Sequence, residues 1–351
     1  DHFGFASVLV KSREDMIHRK PLHGIKEDGK LLFRHFKDWT PMILFSEELK
    51  LGIKSGMYEY DVRGGYTFQS APWMAKFFED AFKRKAGAKR DGNPALAQVW
   101  KIIANSGYGF WGLRTADRDS ILIQEADKSA IYPYLESGKF LNYNEIGDYS
   151  IMRVEKDLPV TDFNVGVASA ISSYSRCRLW SLINDIESKG KQIFMCDTDS
   201  VITDCDLSEY PDLMSAYMWD GCGDDLGSLK NEADDFLKDN GLTVRSQGME
   251  HFDELILGGC KFYALRKDGC AKEITKCKGY KKGDLTFEDF EFMAGGGVKS
   301  QRQVQFLCPK MNHVSQDEKF ALRTPHIVKK FKFAYTKGHI ADDGSITPFF
   351  C

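Results

Sequence analysis

The fold is decided by one stretch, Lys191-Gln-Ile-Phe-Met-Cys-Asp197-Thr-Asp199-Ser-Val-Ile-Thr-Asp204. Short apolar runs at 193–195 and 201–202 flank four polar residues, a pattern that predicts a buried β-hairpin with the polar residues at its tip. Two carboxylates at that tip repel each other unless one is protonated or a cation bridges them. A hard cation such as Mg²⁺ suits oxygen ligands of this kind, although a plain Asx turn is the commoner explanation of an isolated Asp-x-Asp.

Length and composition are those of a globular protein with two or three subdomains. The chain has 351 residues, of which 42% are hydrophobic and 28% charged. It contains no apolar run long enough to cross a membrane and no signal-peptide pattern, so we expect an intracellular protein that is not secreted. Its nine cysteines form no C-x-x-C pair, which favours reduced thiols over a disulfide framework or a zinc site.

The net charge of −3 conceals an asymmetry along the chain. From residue 261 onward there are 17 Lys and Arg against 10 Asp and Glu, whereas the preceding residues carry 31 against 41. A basic C-terminal third suits a polyanion-binding surface, but solvated lysines are the more common explanation of such a bias.

Two helices are predicted upstream of the hairpin. Ser70-Ala71-Pro72 is expected to open the first helix, with Ser70 as its N-cap. Its apolar face comprises Trp73, Met74, Phe77, Phe78 and Phe82. Its end is basic, Asp91-Gly92 forms a turn, and the second helix runs from Asn93-Pro94 to about Ser106. The two helices form a helical hairpin with a positively charged tip.

The second helix carries a polar stripe of Lys101, Asn105 and Tyr108 at i, i+4 and i+7. The opposite side, expected to face the core, has Leu96, Val99 and Ile103. We expect Gly107 and Gly109 to break the helix and to allow close approach of the backbone. The stripe and the glycines together indicate a ligand-facing surface, although such a stripe on a solvated helix usually has no function.

The rest of the chain supplies the other elements. They are strand-like runs at 5–10 and 58–62, small β-structure over 117–160 with a hairpin at 146–149, a helix from Val165 to Ser188 closed by Gly190, a hairpin of 261–266 and 271–278 turned by Asp268-Gly269, and a short helix over 286–293 before Gly295. The long helix leads directly into the hairpin that carries Asp197 and Asp199.

These features fit phosphoryl transfer on a nucleotide. In that reaction two Mg²⁺ ions stabilise the attacking and leaving oxygens, and a lysine neutralises the triphosphate. Lysines and arginines hold the nucleic acid through its backbone phosphates.

At this point the residues resemble a known family, the family B DNA polymerases. Lys101-Ile-Ile-Ala-Asn105-Ser106-Gly-Tyr108-Gly109 resembles their motif B, K-x3-N-S-x-Y-G, and Cys196-Asp197-Thr-Asp199-Ser200 resembles their motif C. Lys261-Phe-Tyr263 is similar to the later K-x-Y motif, and 226–232 resembles a segment that lies between motif C and K-x-Y. The compact insertions around motif B are most similar to those of the protein-primed branch of phages, viruses and linear plasmids.

The resemblance implies an α+β right-hand fold with a partial palm. Its parts would be a first terminal-protein-region insertion over 1–68, fingers over 69–113 with motif B, a second such insertion over 114–158, palm over 159–260 with motif C, and thumb over 261–351. The implied activity is DNA-directed DNA polymerase. The implied partners are a DNA primer-template, dNTPs and a terminal protein, and the protein would act as a monomer without a membrane.

The resemblance also implies a role for each matching residue. Asp199 would be the main metal ligand and Asp197 its acidic neighbour, with two Mg²⁺ ions, or Mn²⁺, in the complete enzyme. The nucleotide would be bound by Lys101, Asn105 and Tyr108, with Lys85 or Lys89 as a second phosphate contact. The primer end would be gripped by Lys261 and Tyr263.

One departure from the family pattern matters. Motif A, D-x-x-S-L-Y-P, supplies the other metal ligand in the family, and Asp61-Val-Arg-Gly-Gly-Tyr66-Thr67 only mimics its spacing. We therefore expect motif A upstream of Asp1, and a chain that is the C-terminal polymerase portion of a larger enzyme, inactive alone. The alternatives are a nucleic-acid-primed family B polymerase and a non-catalytic DNA-binding remnant.

Overall fold

A computed structural model describes residues 2–112, 118–124, 129–146, 149–155, 164–219, 225–244, 248–259, 261–280, 283–304, 326–333, 339–341 and 346–347. The chain divides into two compact units. The first comprises Asp1–Gly109, Val165–Gly297 and Lys332–Cys351, and the second comprises Phe110–Asn164 and Val298–Phe331.

The first unit begins with a three-stranded antiparallel sheet in the order β4-β1-β5. The elements are β1 (Gly4–Ser12), β2 (Gly24–Glu27), β3 (Lys30–Phe33), β4 (Thr40–Phe45), α1 (Ser46–Ser55) and β5 (Tyr58–Thr67). Alternate residues of β1 point into the core, where Ala6, Val8 and Val10 are buried with Leu49 of α1. Both strand-like runs predicted in this region are confirmed.

The helical hairpin is confirmed, but its start was predicted wrongly. Helix α2 spans Ala75–Arg90 and α3 spans Pro94–Trp111, with Gly92 at φ +66° in the turn between them. Ser70 is not the N-cap, because a turn in which Ala75 N donates to Pro72 O precedes the helix. The apolar face predicted for α2 is also partly wrong, since Trp73 and Phe77 are exposed.

Two further predictions about α3 are wrong. The helix continues through Gly107 and Gly109 to Trp111. A Cβ on Gly107 would lie 3.2 Å from the Phe78 ring, so this glycine lets α2 and α3 approach each other rather than breaking the helix. Two residues expected in the core, Leu96 and Val99, are 44% and 49% exposed. The residue of α3 that is buried is Ala97, which lies between these two positions in the sequence.

Helix α5 (Val165–Ser188) carries the chain into the central hairpin, as predicted. The elements that follow are β9 (Ile193–Asp197), β10 (Ser200–Thr203), a 3₁₀ turn (Leu207–Glu209), α6 (Pro211–Tyr217) and α7 (Glu232–Asp239). Gly190, at φ +75°, closes α5. The hairpin arms are half-buried rather than buried, because β9 and β10 form a sheet of two strands among the described residues.

A second three-stranded sheet, in the order β11-β12-β13, follows in the first unit. Its elements are β11 (Glu254–Gly259), β12 (Phe262–Arg266) and β13 (Ile274–Cys277), and helix α8 (Phe287–Ala294) packs on it. Thr286 and Asp289 form a reciprocal capping box at the start of α8, which explains the predicted helix at this position. The hairpin turned by Asp268-Gly269 is confirmed, with Gly269 at φ +76°.

The second unit contains the small β-structure predicted after the helical hairpin. Its elements are β6 (Arg118–Gln124), α4 (Tyr132–Glu136), β7 (Phe140–Ile146), β8 (Tyr149–Glu155), β14 (Lys299–Val304) and β15 (His326–Phe331). Ile146 pairs with Tyr149 as the predicted hairpin requires, and its loop, 147–148, lies outside the described residues. In the first unit, β16 (His339–Ile340) pairs with β17 (Ile346–Thr347).

Among the helices that the structure describes, none combines the length and the apolar character needed to cross a bilayer.

A buried polar network joins the N-terminal sheet to α5. The carboxylate of Glu48, 2% exposed, accepts hydrogen bonds from Ser173 Oγ and from Arg176 Nη1, the latter at 2.6 Å. Its other oxygen lies 2.9 Å from His23 Nδ1, and His23 Nε2 lies 2.7 Å from the Tyr60 hydroxyl. Burial alone would raise the pKa of the Glu48 carboxyl, but His23 and Arg176 outweigh it and hold that pKa below its ordinary value.

We predict that Glu48→Ala lowers the free energy of unfolding by about 3–5 kcal/mol, because it leaves buried partners uncompensated. Chemical denaturation of both proteins measures the difference. The matched control is Glu47→Ala, whose carboxylate pairs with Lys50 on the surface at 2.7 Å and contributes at most about 1 kcal/mol. Equal effects of the two substitutions would contradict the role given to the network.

Candidate active site at the hairpin tip

A strained two-residue loop forms the tip of the β9–β10 hairpin. Asp197 pairs with Ser200, and Asp199 N donates to Asp197 O at 2.7 Å, the i to i+2 contact of a γ-turn. Thr198 between them has φ +60°, an uncommon conformation for a β-branched residue. Backbone strain of this kind concentrates at functional sites, where the surrounding structure maintains it.

The two carboxylates of the tip have different surroundings. Asp197 Oδ1 accepts a hydrogen bond from Thr198 Oγ1 at 3.0 Å, and Asp197 Oδ2 lies 3.6 Å from Lys261 Nζ. Asp199 is exposed, and no side chain or backbone group in the described part of the chain donates to its carboxylate. Asp199 therefore keeps both oxygens available for a ligand, while Asp197 is partly neutralised.

The base of the hairpin is fixed by hydrogen bonds and by packing. Asp204 accepts from Gln192 N at 2.6 Å, and Thr203 Oγ1 donates to Gln192 O at 2.6 Å. On their inner side, Ile193 and Val201 pack against a core formed mainly by α5, the 3₁₀ turn and α6. The tip is thus held by rigid elements although it is itself exposed.

Lys261 reaches Asp197 because of its own backbone. Its φ of +57° lies in the left-handed region, and it follows a register shift between β11 and β12 near Gly259. Its carbonyl accepts from Lys278 N at 3.0 Å, which ties the residue to the end of β13. The structure therefore brings Lys261 and Asp197 together, and it places Tyr263 in the adjacent strand β12.

The polar stripe of α3 is present as predicted, with Lys101, Asn105 and Tyr108 all exposed. No hydrogen bond or ion pair among the described residues joins this stripe to the carboxylates of the hairpin. Lys85 lies within α2 and not at the tip of the helical hairpin, with its Nζ 5.0 Å from the centroid of the Phe82 ring.

The donor set at the tip suits a hard divalent cation. Its two carboxylates lie two residues apart across a tight turn, and carboxylate oxygens are the ligands that Mg²⁺ and Mn²⁺ prefer. In the described ranges no cluster of three or more His, Cys, Asp or Glu is arranged to hold a metal. The hairpin thus provides two candidate ligands, Asp197 and Asp199.

Sequence reasoning missed two features of this site. The sequence contains a weak signal for the positive φ of Thr198. Pairing of 197 with 200 leaves a loop of only two residues, and neither is glycine. The contact between Lys261 and Asp197 has no local signal, because the two residues are far apart in the chain.

Comparisons with known proteins also point to DNA polymerases. The family described as DNA polymerase type B, organellar and viral, matches residues 1–187. The chain is 28% identical over 370 residues to a probable DNA polymerase of Podospora anserina, and the alignment covers 95% of this chain and 27% of that protein.

A solved structure of phi29 DNA polymerase, complexed with primer-template DNA and incoming nucleotide substrates, is similar with a TM-score of 0.54 and 15% identity. The likeness covers 95% of this chain and 51% of that one, and it confirms the predicted right-hand polymerase fold. The chain thus spans about a quarter and about half of the lengths of these two proteins. Because the family match covers more than half of its residues, the chain belongs to the type B DNA polymerases of organelles and viruses.

Proposed function

We propose that the chain is the polymerase portion of a DNA-directed DNA polymerase that adds dNTPs by two-metal phosphoryl transfer. The observation that carries this proposal is the open carboxylate of Asp199 beside the partly neutralised Asp197. Asp199 acts as the main metal ligand and Asp197 assists it. Bound Mg²⁺ or Mn²⁺ would stabilise the charge that develops on the transferring phosphoryl group.

The remaining site residues bind the substrates. Lys101 neutralises the triphosphate, and Asn105 and Tyr108 line the nucleotide pocket on the exposed face of α3. Lys85 of α2 gives a second phosphate contact. The DNA and nucleotide bound in the phi29 polymerase structure support a primer-template and dNTPs as partners of this chain.

The K-x-Y residues Lys261 and Tyr263 bind the primer end. The ammonium group of Lys261, 3.6 Å from Asp197, lies beside the carboxylates at which the reacting phosphoryl group would be placed. A cation at this position favours the approach of a polyanion to an acidic tip, which would otherwise repel it.

Two-metal transfer needs a further carboxylate, and the motif A-like stretch at 61–67 is a poor source for it. Asp61 lies in β5 and pairs with Arg63 at 2.6 Å. A second near match, Asp127-Lys-Ser-Ala-Ile-Tyr-Pro133, follows motif B instead of preceding it, and Asp127 lies outside the described residues. We infer that the further ligand comes from another part of a longer polymerase.

We therefore predict that the 351-residue chain alone does not extend a primer with Mg²⁺, whereas a longer polymerase that contains it does. In the longer enzyme, Asp199→Asn should reduce nucleotide addition by about 10³-fold or more, because several kcal/mol of metal stabilisation are lost. DNA affinity should change by less than about threefold, since Asp199 is not a phosphate contact. Radiolabelled primer extension and a binding titration measure both quantities.

Robust extension by the isolated chain would refute the inference that the further carboxylate comes from outside these 351 residues. Asp127→Asn in that active chain would then show whether 127–133 supplies the ligand. Retained turnover of the Asp199→Asn polymerase would refute the metal assignment itself.

Protein priming is the finer part of the proposal. Two assigned insertions support it: 1–68, implied to contact a terminal protein and the template, and 114–158, implied in strand displacement and processivity. The alternatives are a polymerase primed by a nucleic acid and a remnant that binds DNA without catalysis. A remnant has no need to keep Asp197, Asp199 and Lys101 together, so the first alternative is the stronger.

We predict that the longer polymerase attaches the first nucleotide to the hydroxyl of a tyrosine or serine in a terminal protein. Incubation with labelled dNTP, template and that terminal protein should give a labelled protein band that survives denaturation. An oligonucleotide primer on the same template is the reference reaction. Extension of the oligonucleotide alone, with no labelled protein, would favour the nucleic-acid-primed alternative.

A further inference from the structure

The basic residues of the β11-β12-β13 sheet are paired with carboxylates at one end. Arg266 Nε donates to Glu254 at 2.7 Å, and Lys267 Nζ lies 3.5 Å from Asp253 Oδ1 and 3.7 Å from Glu250 Oε2. These cations lie at the end of β12 that is distant from Lys261. Their charge is largely neutralised within the protein.

The other end of the same sheet carries two cations for which the described residues provide no carboxylate partner. Lys276 and Lys278 are exposed, and no carboxylate in the described ranges lies within ion-pair distance of either. Cross-strand pairing sets Lys276 opposite Tyr263, and Lys278 N donates to Lys261 O at 3.0 Å. Both lysines are therefore immediate neighbours of the K-x-Y residues.

The pairing also determines which face of the sheet carries these side chains. Phe262 is paired with Cys277, and its ring lies 5.3 Å from that of Phe290 in α8. Because side chains alternate along a strand, Tyr263 and Lys276 lie on the face opposite α8. Lys278 lies one residue past the end of β13, at the turn where its backbone N–H donates to Lys261 O.

We infer that Lys276 and Lys278 bind backbone phosphates of the primer-template duplex next to the catalytic hairpin. The inference rests on the proposed function and adds two phosphate contacts to those of the K-x-Y motif. Lys276 and Lys278 have no carboxylate partner among the described residues, so phosphates of a polyanion can supply the negative charge that stabilises them. Arg266 and Lys267 already have carboxylate partners and would gain less. Contacts of this kind position the duplex and carry no sequence preference.

The test is a titration of the full 351-residue chain with a fluorescent primer-template duplex at several KCl concentrations. Each of Lys276→Ala and Lys278→Ala should weaken binding to unrelated duplexes equally and lower the slope of log K against log[KCl] by about 0.9. Lys276→Arg should keep the slope of the parent protein. Lys272→Ala removes another exposed lysine, beside the far turn, and should leave the slope unchanged.

The outcomes separate this inference from the function on which it rests. If the parent chain binds the duplex but the Lys276 and Lys278 variants keep its slope, the inference is wrong and the proposed function stands. An equal loss of slope in Lys272→Ala also overturns it, because total charge would then explain the effect. If the parent chain binds no duplex, the result contradicts the DNA binding that the proposed function requires of this chain. Thermal unfolding of each variant confirms that it is folded.

Discussion

Two carboxylates separated by one residue at the tip of a hairpin repel each other. The structure reduces this repulsion at one carboxylate and leaves the other open. Lys261 supplies one positive charge, 3.6 Å from Asp197. Asp199 receives none from the described residues and stays open to a cation from solution. Because only Asp197 is partly neutralised, Asp197 is held in place by Lys261, and Asp199 remains available as a ligand.

Holding such a tip in place requires rigid supports, and these come from distant parts of the chain. The hairpin packs on α5, and α5 is joined to α1 of the N-terminal region by the contacts of Glu48 with Ser173 and Arg176. A second link is the hydrogen bond from Trp180 Nε1 to Lys20 O at 3.0 Å. The N-terminal region, which contributes no candidate catalytic group, thus helps to fix the helix that carries the catalytic hairpin.

Local signals in the sequence predicted the elements that depend on local physics. The central hairpin, α5 with its closing Gly190, and the short helix α8 were all predicted from neighbouring residues. The turn at Gly269 was predicted for the same reason, because an Asp-Gly pair favours positive φ at the glycine.

Features that depend on tertiary packing were not predictable in this way. Gly107 was interpreted as a helix breaker because the approach of the Phe78 ring from the other helix is not visible in the sequence. Glu48 gave no signal, since its partner Ser173 is 125 residues away. Lys101 and its stripe were found by spacing, but spacing could not show which groups they face.

The most direct test of the central claim is binding of Mn²⁺ to the chain, followed by electron paramagnetic resonance. The account predicts that Asp199→Asn weakens Mn²⁺ binding and that Lys261→Ala tightens it, because removing a cation beside Asp197 leaves the tip more negative. Asp268→Asn, at an exposed turn in the second sheet, should change nothing. Mn²⁺ affinity that is unaffected by Asp199→Asn, or that falls with Lys261→Ala, would contradict a metal site at the hairpin.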